Sequence, residues 1–207
     1  MTAAEKKPRR TNEERTSQMR GRILDAALEC LAELGYAGTT TTAIAERAGV
    51  SRGAQLHHFP TRAALIAAAV SHLYAQLRAD YEGAFARLPG GGDRLGAAID
   101  LFWKVWQDSR LTAVLDLHIA ARTDRELAAA LLPVAVEHQQ HIVRLARRFF
   151  PAAALAQPRF RAVLDVVQET LRGMAVGTVL ARDENHEAET LAMLKTLVAA
   201  ALQESPL

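Results

Sequence analysis

Four groups of residues in this chain are of types that could do chemistry. His57 and His58 are adjacent, His138 and His141 stand three apart, Cys30 is the single cysteine, and Ser51, Arg52 and Gln55 lead into the first histidine pair. Adjacent side chains on a helix point about 100° apart, so His57 and His58 do not share one metal ion. His138 and His141 lie on one helical face and could contribute two ligands, but no nearby carboxylate or cysteine completes a set. The other reading of that pair is solvated or pocket-lining histidine. No nucleophile–base pair, phosphate-cradling loop or paired carboxylate set stands out, so a helical enzyme has no constellation to work with. Neither a metal nor a cofactor is expected.

Polar residues beside Gly49 offer a different chemistry. The stretch from Ala43 to Pro60 reads AIAERAGVSRGAQLHHFP. Gly49 can take a positive φ and breaks a helix there, and Ser51 is a fresh N-cap for the next. Neither piece reaches the 12 to 15 residues at which an isolated helix becomes more than marginal in water, so another element must hold both. Two short helices joined by a tight glycine turn make a helix-turn-helix, which a preceding helix can brace. Ile44, Ala45 and Val50 are placed to face that brace. The second helix then exposes its N-terminal half, as a recognition helix must in a major groove. Hydroxyls at Thr40 and Thr41, on a helix N-terminus, suit a phosphate oxygen.

The elements needed to position these groups are legible. Half of the 207 residues are hydrophobic, with few aromatics, in a vocabulary rich in helix formers. Apolar residues at three- and four-residue spacing predict a helix over 16–34, with Gly35 as its stop. Threonines 39–42 offer caps for a helix to about Ala48, and Ser51 starts one ending near His58. Further helices are expected over 62–87, 94–107, 111–121, 124–150, 159–181 and 184–203, giving about nine. The run from Pro89 to Asp93 and the proline-bounded stretch 151–158 read as connections. No period-two strand pattern or repeat appears, so the fold class is all-α.

Charge is informative only by its distribution. The formal net charge is +2, but residues 1–22 hold seven Lys and Arg against three Asp and Glu, with KKPRR at 6–10. That run is either a solvated tail or an arm lying near an anionic polymer. One cysteine permits no intrachain disulfide, and Cys30 falls on the apolar side of its helix. No stretch has the length and apolarity of a membrane span or a signal peptide core, so a cytoplasmic protein with no membrane partner is expected.

The segment RGRILDAALECLAELGYAGTTTTAIAERAGVSRGAQLHHFPTRAALIAA, residues 20–68, resembles the DNA-binding domain of the TetR family of transcriptional regulators. The likeness rests on an ordered set: ILDAAL, the GY-x-GTT corner, IAERAGVSRG, the HF pair, and a basic residue before a leucine. It implies a three-helix helix-turn-helix head, a larger helical domain for dimerisation and inducer binding, double-stranded operator DNA as partner, and a homodimer. The mechanism implied is repression relieved by an unidentified small-molecule inducer. The expected organisation is a basic arm at 1–16, a head at 17–77 with its motif near 40–59, and a ligand-binding and dimerisation domain at 78–207. A dimer would set two recognition helices about 34–36 Å apart in successive major grooves. The rival reading is a helical ligand-binding or interaction protein that no longer binds DNA; here the head keeps its glycines, caps and basic residues.

Site residues follow from that resemblance. Thr40, Thr41, His58 and Arg62 are expected at the phosphates, and Arg52, Gly53, Ala54, Gln55 and His57 nearest the bases. Two positions depart from the family pattern around 55–56: Gln55 stands where an apolar residue is usual and Leu56 where tyrosine is. Either the pair is swapped, with Leu56 inward and Gln55 reaching an adenine edge, or Gln55 is a partly buried amide satisfied by backbone. Arg62 replaces the usual lysine and still suits a phosphate. Phe102, Trp103, Trp106, Val114, Leu115, His118 and Arg122 sit on helices that surround an inducer pocket in the family, with ordinary core packing as the alternative. Gly173, Val176, Gly177 and Leu180, with Leu191, Leu194 and Val198 on the last helix, are expected at a four-helix dimer interface. The alternative buries both stripes within one subunit.

Overall fold

Gly35 decides how the first helix ends. In the computed structural model, which describes residues 11–87, 93–150, 156 and 158–203, α1 runs Asn12–Gly38. Gly35 sits inside it at φ 64°, ψ 179°, a conformation only glycine takes without strain, so the expected stop is a break followed by one further turn. The start lies at Asn12 rather than Thr16 because Thr11 and Glu14 form a capping box. Glu14 N–H donates to Thr11 Oγ1 at 3.2 Å, and Thr11 N–H donates to Glu14 Oε2 at 2.9 Å. Residues 12–16 of the expected arm are therefore helical, and its Lys6–Arg10 run lies outside the described residues.

Short polar side chains start each of the next three helices. Thr40 Oγ1 accepts from Ala43 N–H at 3.1 Å ahead of α2 (Thr41–Ala48). Ser51 Oγ accepts from Ala54 N–H at 3.2 Å ahead of α3 (Arg52–His58), and Thr61 Oγ1 from Ala64 N–H at 3.1 Å ahead of α4 (Arg62–Ala86). Gly49 ends α2 in the left-handed conformation, φ 63°, ψ 42°. The rest are α5 (Arg94–Trp106), α6 (Ser109–Ala120), α7 (Arg125–Phe149), α8 (Phe160–Gly177) and α9 (Glu184–Gln203). Asp93, Asp108 and Asp124 cap α5, α6 and α7. Helix α6 starts at Ser109 because Asp108 accepts from Arg110 N–H at 2.9 Å. Positions 89–92, 151–155 and 157 of the two expected connections lie outside the described residues. Among the described residues there is no strand, and the fold is all-α.

Packing runs through α4. α1 packs on α2, α4 and α6, while α4 also packs on α5 and α7, and α5, α8 and α9 pack on one another. One apolar core extends from Ile23 and Ile44 in the first helices through Leu65, Ile66 and Leu73 on α4 to Leu117, Leu127 and Leu171. Each such residue contributes about 1.5–3 kcal/mol by leaving water, so α4 is held from both ends. Cys30 is in this core, and burial pushes its thiol pKa up. A smaller cluster of Ala146, Phe160 and Leu164 closes α7 against α8. No helix among the described residues is long and apolar enough to cross a membrane.

Candidate nucleic-acid interface and ligand cavity

The three short-loop helices form a braced unit. Ile44 and Ala45 of α2 are buried, as the sequence places them, and Val50 is half-buried. Arg22 of α1 donates through Nη2 to the carbonyls of Ala48, at 2.5 Å, and Gly49, at 3.0 Å, satisfying the end of α2. Arg47 pairs with Glu33 and, at 3.6 Å, with Glu29 of α1. The Arg20 guanidinium lies 4.7 Å from the Phe59 ring centre, closing the end of α3. α3 is thus fixed by its neighbours rather than by its own length.

Ser51, Arg52, Gly53, Leu56 and His57 are exposed on α3, with Ala54 and His58 half-buried. Thr40 is exposed and its hydroxyl oxygen is engaged in the cap; Thr41 is half-buried on the first turn of α2.

One expected contact is corrected and another gains a structural role. Gln55 is 2% exposed and Leu56 51%, so the swapped-pair idea is wrong: Leu56 faces out and Gln55 faces in. The reason is helical phase. Gln55 lies one turn before Phe59, which is 4% exposed, and shares its inward face, while Leu56 is rotated about 100° away. Backbone does not satisfy the buried amide either, since Gln55 Nε2 has no hydrogen-bond partner. Arg62 has a second role inside the head, and its Nη1 stays available to a phosphate. Its Nε donates to the Thr39 carbonyl at 2.8 Å, its Nη2 to the Tyr36 carbonyl, and its guanidinium stacks 3.9 Å from the Tyr36 ring centre. At the end of α1 the Tyr36 carbonyl also accepts from Thr39 N–H at 3.3 Å, so Arg62 adds a second donor there and gives the Thr39 carbonyl a side-chain donor.

Tyr36 joins this unit to the rest of the chain. Its hydroxyl donates to Asp124 Oδ2 at 2.7 Å, while Asp124 Oδ1 accepts from Leu127 N–H at 2.9 Å as the cap of α7. The Leu127 amide, then the Tyr36 hydroxyl, hold the Asp124 pKa below the usual carboxylate range, and burial first, then Asp124, raise that of Tyr36. One tyrosine therefore touches the α4 N-terminus through Arg62 and the α7 N-terminus through Asp124.

A cavity of about 350 Å³ lies among α4 to α8, at the low end of sizes common for small-molecule sites. Of the seven residues expected around a pocket, Phe102, Trp106, Val114, Leu115 and His118 line it. Trp103 does not. It is buried in the core, its Nε1 3.2 Å from the Gln107 amide once that amide is turned with its oxygen accepting. Arg122 is exposed on the turn after α6, outside the cavity.

Sequence reasoning missed Tyr74 and Tyr81 of α4, Gln139 of α7, and Gln168 and Arg172 of α8, all of which line the cavity. A polar or aromatic residue at helical spacing was the only signal, and it does not say which of two buried faces meets a void. His138 lines the cavity and stacks on Tyr74 with ring centres 3.7 Å apart; His141 does not line it. Burial first, then the positive side chains around it, pull the His138 pKa down to about 4, and His118 is lowered chiefly by burial. His138 Nδ1 and Arg172 Nε are buried without partners. Among the described residues no three His, Cys, Asp or Glu side chains converge as a metal site.

The expected dimer face is divided. Leu194 and Val198 are 4% and 2% exposed and pack into their own core, so these two belong within the subunit, while half-buried Leu191 borders that core. Gly173, Val176, Gly177 and Leu180 are exposed, and on α9 the exposed large apolar residues are Met193 and Leu197. A Cβ added at Gly173 or Gly177 would meet nothing within 4 Å, so packing in this subunit does not require glycine there.

Comparison with known proteins places this geometry. Residues 23–69 match the model of bacterial regulatory proteins of the tetR family. The chain is 31% identical over 177 residues to the HTH-type transcriptional regulator CymR of Pseudomonas putida, covering 85% of this chain and 87% of that one. A transcriptional regulator of Pseudomonas aeruginosa PAO1 shares the fold with a TM-score of 0.69 at 21% identity, over 93% of this chain and 99% of that one. The multidrug binding protein EbrR, crystallised with imidazole, matches at 0.62 and 21% identity, over 91% and 96%.

Proposed function

This chain belongs to the TetR family and is a DNA-binding transcriptional regulator rather than an enzyme, and from that premise we propose that it is a homodimeric repressor released from its operator by a small molecule held in the α4–α8 cavity. The carrying observation is the exposed N-terminal half of α3, fixed from behind by Arg20, Arg22 and the buried face of α2. Arg52 and His57 are the polar groups that reach bases, Gly53 lets the backbone approach, and Ala54 and His58 border the groove. Exposed Leu56 supplies an apolar contact for a thymine methyl, which is direct readout without a hydrogen bond. Thr40 and Thr41 bring the start of α2 to a phosphate.

The exposed stripe of Val176, Leu180, Met193 and Leu197, with the open glycines, is the face on which the second copy packs. A ligand changes operator affinity only through its differential affinity for two conformers. Two connections carry that preference to the head: α4, which lines the cavity and begins beneath the head, and the Asp124–Tyr36–Arg62 contact at the start of α7.

Selection of duplexes from a random pool by the purified protein, followed by salt titration of the winners, tests this reading. An inverted repeat with half-sites about one helical turn apart is expected. Arg52→Ala should cost about 1–3 kcal/mol at one symmetric base pair, and Leu56→Ala a smaller amount at a thymine. A pool that shows no enrichment would sink the DNA reading. For the dimer, Val176→Asp should give monomers by sedimentation with unchanged helix content; a dimer that survives moves the interface elsewhere.

A further inference from the structure

The cavity's polar chemistry is one-sided. Its lining includes the Arg172 guanidinium, His118 and His138, and no Asp or Glu. Arg172 is only partly spoken for: Nη1 donates to Glu169 at 2.9 Å one turn earlier on α8, while Nε has no partner. The guanidinium carbon lies 5.9 Å from the Trp106 ring centre, so the charge and the aromatic wall meet at one end of the void. His138 Nδ1 is a second buried nitrogen without a partner. An organic cation entering here would meet the Arg172 guanidinium, while the nearby carboxylate, Glu169, is already paired with that guanidinium. A neutral apolar molecule would leave the guanidinium as it is. A carboxylate would complete it, since arginine binds carboxylates with a planar fork of donors.

We propose that the cavity takes an organic monocarboxylate with an apolar body, its carboxylate at Arg172 and its body against Tyr81, Phe102 and Trp106. This rests on the cavity being the regulator's ligand site, as proposed above. The aromatic and aliphatic walls supply burial, and Arg172 supplies the selection of charge. The volume, about 350 Å³, limits the body to something near a substituted ring or a short chain.

The test uses three probes of one shape: 4-phenylbutyrate, its amide and the corresponding amine. Each is titrated calorimetrically into the full-length wild type, Arg172→Gln and the cavity-filling Leu115→Trp, with thermal melts to show that the variants fold. The wild type should bind the carboxylate at least about tenfold more tightly than the amide and show the weakest affinity for the amine. Arg172→Gln should bring carboxylate and amide within about twofold while still binding the amide, and Leu115→Trp should abolish both. Amide or amine binding as tightly as carboxylate, or a carboxylate preference that survives Arg172→Gln, overturns the assignment. If Leu115→Trp still blocks binding in that case, the cavity remains the ligand site and only its charge class was wrong. Binding indifferent to Leu115→Trp, or no binding by any probe, removes the monocarboxylate proposal, and the former removes the cavity as ligand site too.

Discussion

The head and the cavity treat their polar groups in opposite ways. In the head, Thr40, Ser51 and Thr61 each close a helix start, Arg22 closes the end of α2, and Arg62 spends its guanidinium on two carbonyls and a ring. Around the cavity, His138 and Arg172 keep nitrogens that nothing in the chain satisfies. Burial of such a group costs about 1–3 kcal/mol unless a partner arrives. A region that must hold one shape against DNA completes its own hydrogen bonds. A region that must answer a visitor leaves some for the visitor to make. Gln55 breaks the contrast, because it is an unsatisfied amide inside the head.

The largest effect expected comes from undoing the head's completeness at Arg62. Arg62→Ala removes the donor to the Thr39 carbonyl, one of two donors to the Tyr36 carbonyl, and the ring contact, so folding should lose roughly 3 kcal/mol in denaturant melts. Arg62→Lys, which cannot reach both carbonyls in a fork, should recover only part of that. If Arg62→Ala instead melts like the wild type while its log–log salt slope for DNA falls by about one, the arginine acts as a phosphate ligand alone.

Next in size is acid sensitivity, which belongs to the cavity. The His138 pKa is about 4 in the fold, below the ordinary 6.5, so the unfolded chain binds the extra proton first. Stability should therefore be complete above about pH 6.5, fall as pH drops toward 4, and level off below. Up to roughly 3 kcal/mol is involved, and His118 and His141, also lowered, act in the same direction. His138→Phe keeps a ring against Tyr74 without a proton to gain, so its stability should vary less between pH 6.5 and 4. Equal slopes in both proteins would mean that His138 is not buried as described.

The smallest effect tests the exception. Gln55→Leu replaces an unsatisfied buried amide with an apolar group of similar size, and the head should gain about 1 kcal/mol. Operator preference should not change, because this side chain faces away from the exposed side of α3. A loss of sequence preference in Gln55→Leu would return the residue to the DNA side.

Local signals in the sequence carried much of this molecule. Helix starts at Thr40, Ser51, Thr61 and Asp124 and breaks at Gly35 and Gly49 are decided by the residue itself, since a short side-chain oxygen caps within its own turn and glycine alone takes positive φ cheaply. The exposed half of α3 follows from such signals too. What the sequence left open is what depends on groups far apart in the chain. Gln55 and Leu56 differ only by the phase of a seven-residue helix against α1 and α2, and residue chemistry pointed the wrong way. Arg62 reads from its sequence position as a phosphate ligand alone, and only folding brings carbonyls 23 and 26 residues upstream within its reach. Leu194 and Val198 read as an outward stripe until α9 is seen resting on its own core. The cavity is the extreme case: Tyr74, His138 and Arg172 sit on three helices, and only the angle at which those helices pack leaves a void between them. Caps and breaks are short-range and written residue by residue, whereas a void, a rotated face or a borrowed carbonyl exists only once distant segments have met.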